Sequence, residues 1–233
     1  MHLPLQVSAV VFDLDGLLVD TESAWLRAEA ELFAKHGVPF GPLQQAELVG
    51  LALPDLLARL RVALDVDAEQ TDALRDELER RVTRFQGEPR LMPGAGALVR
   101  RLAGRVPLAI ATNSGRDALE AALGATGLRR CFPVTVTADD VERPKPAPEP
   151  YLAAFAALDA DPRRGVVFED SAPGAAAGRR AGATVVTVPA GGAAEPQGHL
   201  TLASLEDQGL ARWSERVRAI RERRPALLVP ATA

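Results

Sequence analysis

The chain is poor in the residues that form disulfides and histidine-based sites. It has one cysteine, Cys131, so no disulfide can form within it, and a reducing compartment is expected. Its three histidines, His2, His36 and His199, are far apart, which argues against a histidine metal site or a serine–histidine–aspartate triad. No apolar run is long enough to cross a bilayer and no signal peptide opens the chain, so we expect a cytoplasmic protein without a membrane partner.

Length and charge narrow the class further. The 233 residues are 47% hydrophobic and 25% charged, which is enough for one substantial core, or for a core and a small second domain. The 27 lysines and arginines are outnumbered by 31 aspartates and glutamates, giving a formal net charge of -4. A negative chain is a poor electrostatic partner for nucleic acid, so no nucleic-acid partner is expected.

Short apolar segments alternate with segments of helical pattern along most of the chain. This alternation predicts an α/β fold with a doubly wound, mostly parallel sheet that has helices on both faces. The predicted strands are residues 7–12, 107–111, 134–136, 166–168 and 184–188. The predicted helices are residues 94–103, 116–123, 150–158 and 173–181, with a further helix where Trp213, Val217 and Ile220 recur at helical spacing.

One long segment, residues 21–88, breaks this alternation because it has helical patterns and no convincing strand. Thr21 is placed to cap its first helix, and further helices are predicted at residues 53–64 and 68–85. A helical insertion into the α/β unit explains this pattern. The predicted domains are an α/β core, residues 1–20 and 89–233, and an inserted helical cap, residues 21–88.

Polar groups follow four of the predicted strands. Alone, each has an ordinary structural explanation, because hydroxyls cap helices and acidic residues often end strands. The carboxyl ends of parallel strands meet in one crevice, where carboxylates, hydroxyls and a lysine together are the groups that phosphoryl transfer uses. These groups are Asp13 and Asp15, Thr112, Asn113 and Ser114, Lys145 between two prolines, and Glu169 and Asp170.

In this order the motifs resemble those of the haloacid dehalogenase-like hydrolase superfamily. The closest resemblance is to its helical-cap branch of phosphatases and β-phosphoglucomutase-like enzymes, and it extends from residue 7 to about residue 205. It implies a Rossmann-like core carrying the inserted cap. The motifs are Asp13-Leu14-Asp15-Gly16, Thr112-Asn113, Lys145 and Glu169-Asp170-Ser171.

The resemblance implies two catalytic aspartates. Asp13 would be the nucleophile that attacks phosphorus and forms an aspartyl-phosphate intermediate. Asp15 would first protonate the leaving oxygen as general acid and then activate water as general base. Ser171 would have a structural role and cap the following helix.

The resemblance also implies a Mg²⁺ cofactor and a phosphate cradle. The metal ligands would be a carboxylate oxygen of Asp13, the backbone carbonyl of Asp15 and the carboxylate of Asp170, with Glu169 bound directly or through water. The phosphate oxygens would be held by the Thr112 hydroxyl, the Asn113 backbone N–H and the Lys145 ammonium.

By resemblance, the chain is expected to be a Mg²⁺-dependent phosphatase of a small phosphorylated metabolite. A β-phosphoglucomutase-like phosphomutase is the alternative, but Val49, Leu53 and Trp25 stand where those enzymes have basic residues or a histidine. A non-catalytic phosphometabolite-binding protein is a further alternative, although none of the four motifs is lost. Asp15 argues against a dehalogenase, since dehalogenases of the superfamily lack this second aspartate.

The first cap segment resembles that of sugar and sugar-alcohol phosphate phosphatases. Glu22 and Trp25 would then lie at the mouth between cap and core, where they could meet the leaving group; for Trp25, a place in the core of the cap is the alternative. Phosphoglycolate and nucleotide phosphates stay open as substrates because the cap loops decide specificity. A monomer is expected, with a homodimer as the alternative.

Overall fold

The computed structural model describes residues 3–85, 87, 89–189 and 197–220, apart from the side chain of Glu22. Six of its strands form one sheet in the order β4-β3-β2-β5-β6-β7, and every neighbouring pair is parallel. The predicted α/β fold with a doubly wound parallel sheet is therefore confirmed. The strands are β1 (Gln6–Val7), β2 (Val10–Phe12), β3 (Leu108–Ala111), β4 (Val134–Val136), β5 (Val166–Glu169), β6 (Thr184–Thr187), β7 (Leu200–Thr201) and β8 (Arg218–Ala219).

Helices follow the strands of the core and fill the insertion. In the described part of the chain, no helix is both long and apolar enough to cross a membrane. The helices of the insertion are α1 (Glu22–Lys35), α2 (Pro42–Leu48), α3 (Leu53–Leu64) and α4 (Thr71–Phe85). Those of the core are α5 (Ala95–Leu102), α6 (Arg116–Thr126), α7 (Glu149–Ala157), α8 (Ala172–Arg180) and α9 (Gln208–Arg216).

The first predicted strand, residues 7–12, is wrong as a single element. The segment is interrupted at Ser8, whose N–H donates to the carbonyl of Arg164, and the chain joins the six-stranded sheet only at β2. The two residues of β1 instead pair in parallel with β8, in a separate two-stranded sheet. A partner more than 200 residues away in the chain thus sets the break.

The predicted last helix is also too long. Asp207 caps α9 by accepting a hydrogen bond from the N–H of Leu210 at 2.8 Å, and the helix ends at Arg216. Val217 is extended, and the chain continues into β8, so Val217 and Ile220 do not share a helical stripe with Trp213. The apolar spacing at the end of this segment is compatible with a helix or with a strand, and the pairing of β8 with β1 favours the strand.

Alternation along the strands gives each face of the sheet its own hydrophobic cluster. Val10 and Phe12 point to one face, where Phe12 stacks on Phe168 with 5.1 Å between ring centres. Val11 points to the opposite face and packs in a second cluster with Tyr151. Both faces are therefore covered, as a parallel sheet requires.

The helices of the insertion form a third hydrophobic cluster, in which Leu32, Leu57 and Leu78 are buried. The two connections to the core run side by side, and Val19 of one forms an antiparallel bridge with Leu91 of the other. The backbone hydrogen bonds on either side of this bridge also join the two connections. We use the name cap for α1 to α4. Its domain boundaries stay a prediction, and residue 88 lies outside the described residues.

Candidate active site

The polar strand ends meet at the carboxyl edge of the sheet. Asp13 directly follows β2 and donates its N–H to the carbonyl of Phe168 in β5 at 3.0 Å. Thr112 directly follows β3, and Glu169 is the last residue of β5. Because β2 lies between β3 and β5, these residues flank the point where the strand order reverses, which is where such folds bind ligands.

Lys145 is brought to this edge by a loop and is fully buried. Its Nζ lies 2.6 Å from Oδ1 of Asp13 and 2.6 Å from Oε1 of Glu169. The side chain of Asn113 holds the loop in place, since its Oδ1 accepts from the N–H of Lys145 at 2.9 Å and its Nδ2 donates to the carbonyl at 3.1 Å. The predicted phosphate-binding residues are therefore neighbours in space.

Asp15 is held by three hydroxyl groups. Thr21 donates to its Oδ1 at 2.6 Å, while Thr112 and Ser114 donate to its Oδ2 at 3.0 and 2.7 Å. The predicted helix-capping role of Thr21 is wrong, because its side chain makes no cap hydrogen bond. The carboxylate of Asp20 instead accepts from the N–H of Ser23, at 3.4 Å.

Glu169 connects several backbone and side-chain groups. Its Oε1 accepts from Lys145 and from the hydroxyl of Tyr151 at 2.6 Å, and its Oε2 accepts from the N–H groups of Asp170 and Ser171 and from the Ser171 hydroxyl. Ser171 also caps α8, accepting from the N–H of Gly174 at 3.2 Å, so its structural role is confirmed.

Tyr151 is a site residue that sequence reasoning did not select, and Ser114 was placed at the end of its strand without an assigned role. Tyr151 is the only tyrosine of the chain, and it lies in the first turn of a helix, six residues after Lys145. This position indicates a role at the site only after Lys145 has been assigned to the site. Ser114 lies shortly before a predicted helix, where a hydroxyl side chain is common without any role in catalysis. Neither pattern shows a carboxylate partner that is distant in sequence.

The carboxyl groups of Asp13, Glu169 and Asp170 are suited to a divalent cation. One oxygen from each lies within 4.8 Å of the others, and all three residues are buried. Three carboxylates and the ammonium of Lys145 sum to a charge of about -2 when all are ionised, which a divalent ion balances. Hard oxygen donors are the ligands that Mg²⁺ prefers, so the residues present fit this ion.

Burial and charge shift the ionisation of the cluster. Burial raises the pKa of the Asp13 carboxyl to about 8; Lys145 opposes this shift, and the negative charges of Glu169 and Asp15 add to it. Burial alone would lower the pKa of Lys145, but Asp13 and Glu169 outweigh it and raise that pKa above its usual value. Burial and the negative charge of Glu169 raise the pKa of the Tyr151 hydroxyl well above its ordinary value.

A cavity of about 230 Å³ lies between this cluster and the cap. Trp25 lines this cavity, and its half-buried indole also packs against the hydrophobic cluster of the cap. Its surroundings therefore combine the two predicted locations, the mouth between cap and core and the core of the cap. The side chain of Glu22 lies outside the described residues. The cap touches the cluster directly at Gly50, whose carbonyl accepts from Nδ2 of Asn113 at 3.2 Å.

The fold and the crevice are those of an α/β enzyme, and comparison with known families identifies which one. The family model described as haloacid dehalogenase-like hydrolase matches residues 7–182. The chain therefore belongs to the haloacid dehalogenase-like hydrolase family, as its motifs predict. The matched range includes all the predicted core motifs and the cap.

Similar proteins of this family include named phosphatases. The chain is 36% identical to validoxylamine A 7'-phosphate phosphatase of Streptomyces hygroscopicus subsp. limoneus, over 74% of this chain and 81% of that protein. It is 32% identical to hexitol phosphatase B of Escherichia coli (strain K12), over 82% of this chain and 87% of that protein. Among solved structures, CbbY from Rhodobacter sphaeroides in complex with phosphate matches with a TM-score of 0.72 and 28% identity, covering 88% of this chain and 97% of that chain.

Proposed function

We propose that the chain is a Mg²⁺-dependent phosphatase that hydrolyses a small phosphorylated metabolite, of the sugar or sugar-alcohol phosphate class, through an aspartyl-phosphate. The observation that carries the proposal is the contact of the Lys145 ammonium with the Asp13 carboxylate at 2.6 Å, in a cavity that Asp15 also lines. A nucleophile, a second carboxylate and a cation for phosphate oxygens thereby share one small enclosed space.

Asp13 is the nucleophile in the first step. Its carboxylate oxygen forms a bond to phosphorus while the ester bond between phosphorus and the leaving oxygen breaks. Asp15 enters this step as the carboxylic acid and gives its proton to that leaving oxygen, which departs as an alcohol. For this, Asp15 has to rotate away from the hydroxyls of Thr112 and Ser114, and the phosphate can take the hydrogen bond that Thr112 gives up.

Water completes the reaction in the second step. Asp15, now a carboxylate, takes a proton from a water molecule whose oxygen attacks phosphorus. The bond between phosphorus and Asp13 breaks, inorganic phosphate is released, and the Asp13 carboxylate is restored. The cap excludes other water while the acyl phosphate exists.

One ammonium group and two neutral hydrogen-bond donors stabilise the charge of the transition state. Thr112, Lys145 and the backbone N–H of Asn113 hold phosphate oxygens, and Glu169 keeps Lys145 in place. Asp13, Asp170 and the Asp15 carbonyl would hold Mg²⁺, which would offset the charge of the phosphate. Both oxygens of Glu169 already accept hydrogen bonds, so we assign it chiefly to positioning Lys145 and to contact with the metal through water.

The cavity favours hydrolysis over phosphomutase chemistry. A phosphomutase has to bind a second phosphate at the cap, and Val49 and Leu53 line the cavity at the positions where such enzymes carry cations. Lys145 is the one basic residue among the described residues that line the cavity, and it lies on the core side. The phosphatase names of the relatives support the same choice.

The size of the cavity and the two relatives support the substrate class. At about 230 Å³ the cavity is smaller than the ~300–1,000 Å³ typical of sites for drug-sized ligands, so a compact metabolite fits it better than a nucleotide. One relative is named hexitol phosphatase B and another validoxylamine A 7'-phosphate phosphatase. The first name supports a sugar-alcohol phosphate as substrate.

A phosphate-release assay tests the proposal. We expect turnover of hexitol and hexose phosphates with Mg²⁺ and its loss with a chelator, and a loss of at least about 1,000-fold for Asp13→Asn, which removes the nucleophile but keeps its shape. Asp76→Asn, on an exposed face of the cap, makes the same chemical change away from the cavity and is expected to leave turnover unaltered. Substantial hydrolysis by Asp13→Asn would contradict the mechanism. Net conversion of β-glucose 1-phosphate with a bisphosphate primer would favour the phosphomutase.

A further inference from the structure

The first helix of the cap presents one face to the cavity. Thr21 directly precedes α1 and Trp25 lies four residues later, and both residues line the cavity. Residues four apart lie on the same face of a helix, about 6 Å apart along its axis. The hydroxyl of Thr21 donates to Oδ1 of Asp15 at 2.6 Å. The indole of Trp25 therefore lies about one helical turn from the proposed general acid, within reach of the leaving group.

The cap side of the cavity is lined mostly by apolar side chains. Besides Trp25 and its neighbour Leu26, these side chains come from the end of α2, from α3 and from the loop between them, and they are Leu48, Val49, Leu51, Leu53 and Leu56. They offer no hydrogen bonds to a ligand. Hydroxyls turned toward them would lose hydrogen bonds to water without replacement, which costs free energy. A leaving group with an apolar face avoids this cost.

The indole N–H of Trp25 is available to a ligand. Among the residues that the structure describes, no group accepts a hydrogen bond from it, whereas the other tryptophan, Trp213, donates its N–H to the carbonyl of Pro4 at 2.8 Å. Tryptophans that serve only for packing usually satisfy this N–H within the protein when they are buried. Trp25 thus presents a flat apolar surface and an unused donor at the same cavity wall.

We infer that Trp25 is a specificity-determining residue that stacks on the leaving group: the enzyme prefers monophosphates of ring-shaped leaving groups, such as a pyranose or a cyclitol, over those of open-chain polyols. This inference rests on the proposed function and narrows its substrate class. The face of such a ring consists largely of C–H groups and can pack on the indole, while hydroxyls at the ring edge can accept from Nε1–H or bind water. An open chain has no fixed flat face, and it loses more conformational freedom when it binds.

Matched substrates test the inference. Glucose 6-phosphate is a ring, and sorbitol 6-phosphate is its open-chain reduction product with the same number of carbons, the same phosphate position and the same charge. In 1,5-anhydroglucitol 6-phosphate the ring cannot open, so this compound excludes turnover through the open form of glucose 6-phosphate. We expect kcat/KM of the wild type to be about 5-fold higher for both ring compounds than for sorbitol 6-phosphate, on the scale of one aromatic contact.

Replacing the indole is expected to remove this preference. Trp25→Leu keeps an apolar side chain but loses the flat surface and the N–H, so the ratio of kcat/KM between ring and chain should fall to about 1. Trp25→Met is the second variant if Trp25→Leu does not fold, because a flexible methionine fills irregular gaps in a hydrophobic cluster. Phe40→Leu is the matched control. Phe40 also packs against the hydrophobic cluster of the cap but lies outside the described lining of the cavity, so its replacement should leave the ratio unchanged.

The outcomes separate the inference from the proposed function. If none of these compounds releases phosphate, the proposed function fails, and calorimetric binding of the same compounds to Asp13→Asn then tests the ring preference without turnover. Phosphate release with equal or better use of sorbitol 6-phosphate by the wild type overturns the inference alone. A ratio that is unchanged in the Trp25 variants, or that falls as far in Phe40→Leu, also overturns it, because the preference would then not depend on the indole.

Discussion

The ammonium of Lys145 lies between the carboxylates of Asp13 and Glu169 and 4.9 Å from the centre of the Tyr151 ring. A buried charge this far from solvent is tolerated only where its hydrogen bonds are satisfied. Removing one member of such a buried pair typically costs ~3–5 kcal/mol, because the other charge stays buried without compensation. The same contacts that stabilise the lysine also fix the position of its charge beside Asp13, the proposed nucleophile.

Tyr151→Phe tests this arrangement at the level of a single atom. The change removes the hydroxyl that donates to Glu169 at 2.6 Å and keeps the buried ring. We expect the free energy of unfolding to fall by about 1–3 kcal/mol, since a buried acceptor loses one donor, and kcat to fall because Lys145 is less firmly held. Denaturant titration and phosphate release measure the two effects. Unchanged values of both would contradict the positioning role.

Sequence reasoning at this scale succeeded where residue type and strand end coincide. Asp13, Thr112, Lys145 and Glu169 converge as predicted, because a parallel sheet brings its carboxyl ends to one edge. The interpretation of Thr21 was wrong for the opposite reason. Helix capping is a local rule, whereas the hydroxyl of Thr21 has a carboxylate available from the turn before it.

Among the elements, the loop between α2 and α3 forms a direct contact between cap and site. Gly50 in this loop has a positive φ of 75°, and a Cβ at this position would lie 2.6 Å from Cβ and 2.8 Å from Oγ of Ser171. Its carbonyl also accepts from Asn113, which holds the Lys145 loop. The contact between cap and core and the position of Lys145, the proposed phosphate-binding lysine, thus both depend on the side chain of Asn113.

Gly50→Ala is expected to keep the cap from seating on the core. The added methyl collides with Ser171, so the loop has to move and KM should rise, with a fall in kcat/KM of about 10-fold or more from misplacement near the reacting groups. Gly37→Ala is the matched control, since Gly37 also has a positive φ, 70°, but nothing lies within 4 Å of its Cβ position. Steady-state kinetics of both variants distinguish backbone strain from the contact. Equal losses in the two would contradict a role for the contact.

The elements themselves were predictable where period and length are clear. The structure has α3 at the predicted residues 53–64, and the core helices begin and end within a few residues of the predicted ones. The seven-residue α2 was not predicted, because two turns give too little apolar period to recognise. The break at Ser8 depends on pairing with β8, which no local pattern contains.

For the whole molecule, a bound cation should couple stability to pH. Without Mg²⁺, the raised pKa of Asp13 means that the folded state holds a proton that the unfolded chain has released between about pH 4 and pH 8, so stability falls as the pH rises through this range. Mg²⁺ needs the carboxylate form and displaces that proton. Its stabilising effect is therefore expected to be larger at high pH than at low pH.

Thermal unfolding midpoints with excess Mg²⁺ or with a chelator, at about pH 6 and about pH 9, measure this coupling. At a concentration 100 times Kd the ion should add about 2.7 kcal/mol to the free energy of unfolding. Asp170→Asn removes one proposed ligand and should reduce the shift, whereas Asp76→Asn should leave it as in the wild type. A midpoint that does not respond to Mg²⁺ at either pH would contradict the proposed metal site.

The side-by-side arrangement of the two core-to-cap connections has a consequence for how such a molecule can change over time. Val19 on the outgoing connection pairs with Leu91 on the returning one, so the whole insertion departs from and rejoins the sheet at a single place. A segment attached in this way can be shortened, lengthened or replaced, because the two points where it joins the core lie next to each other. The strand-end residues of the core and the lining that the insertion adds to the cavity can thereby vary independently of each other.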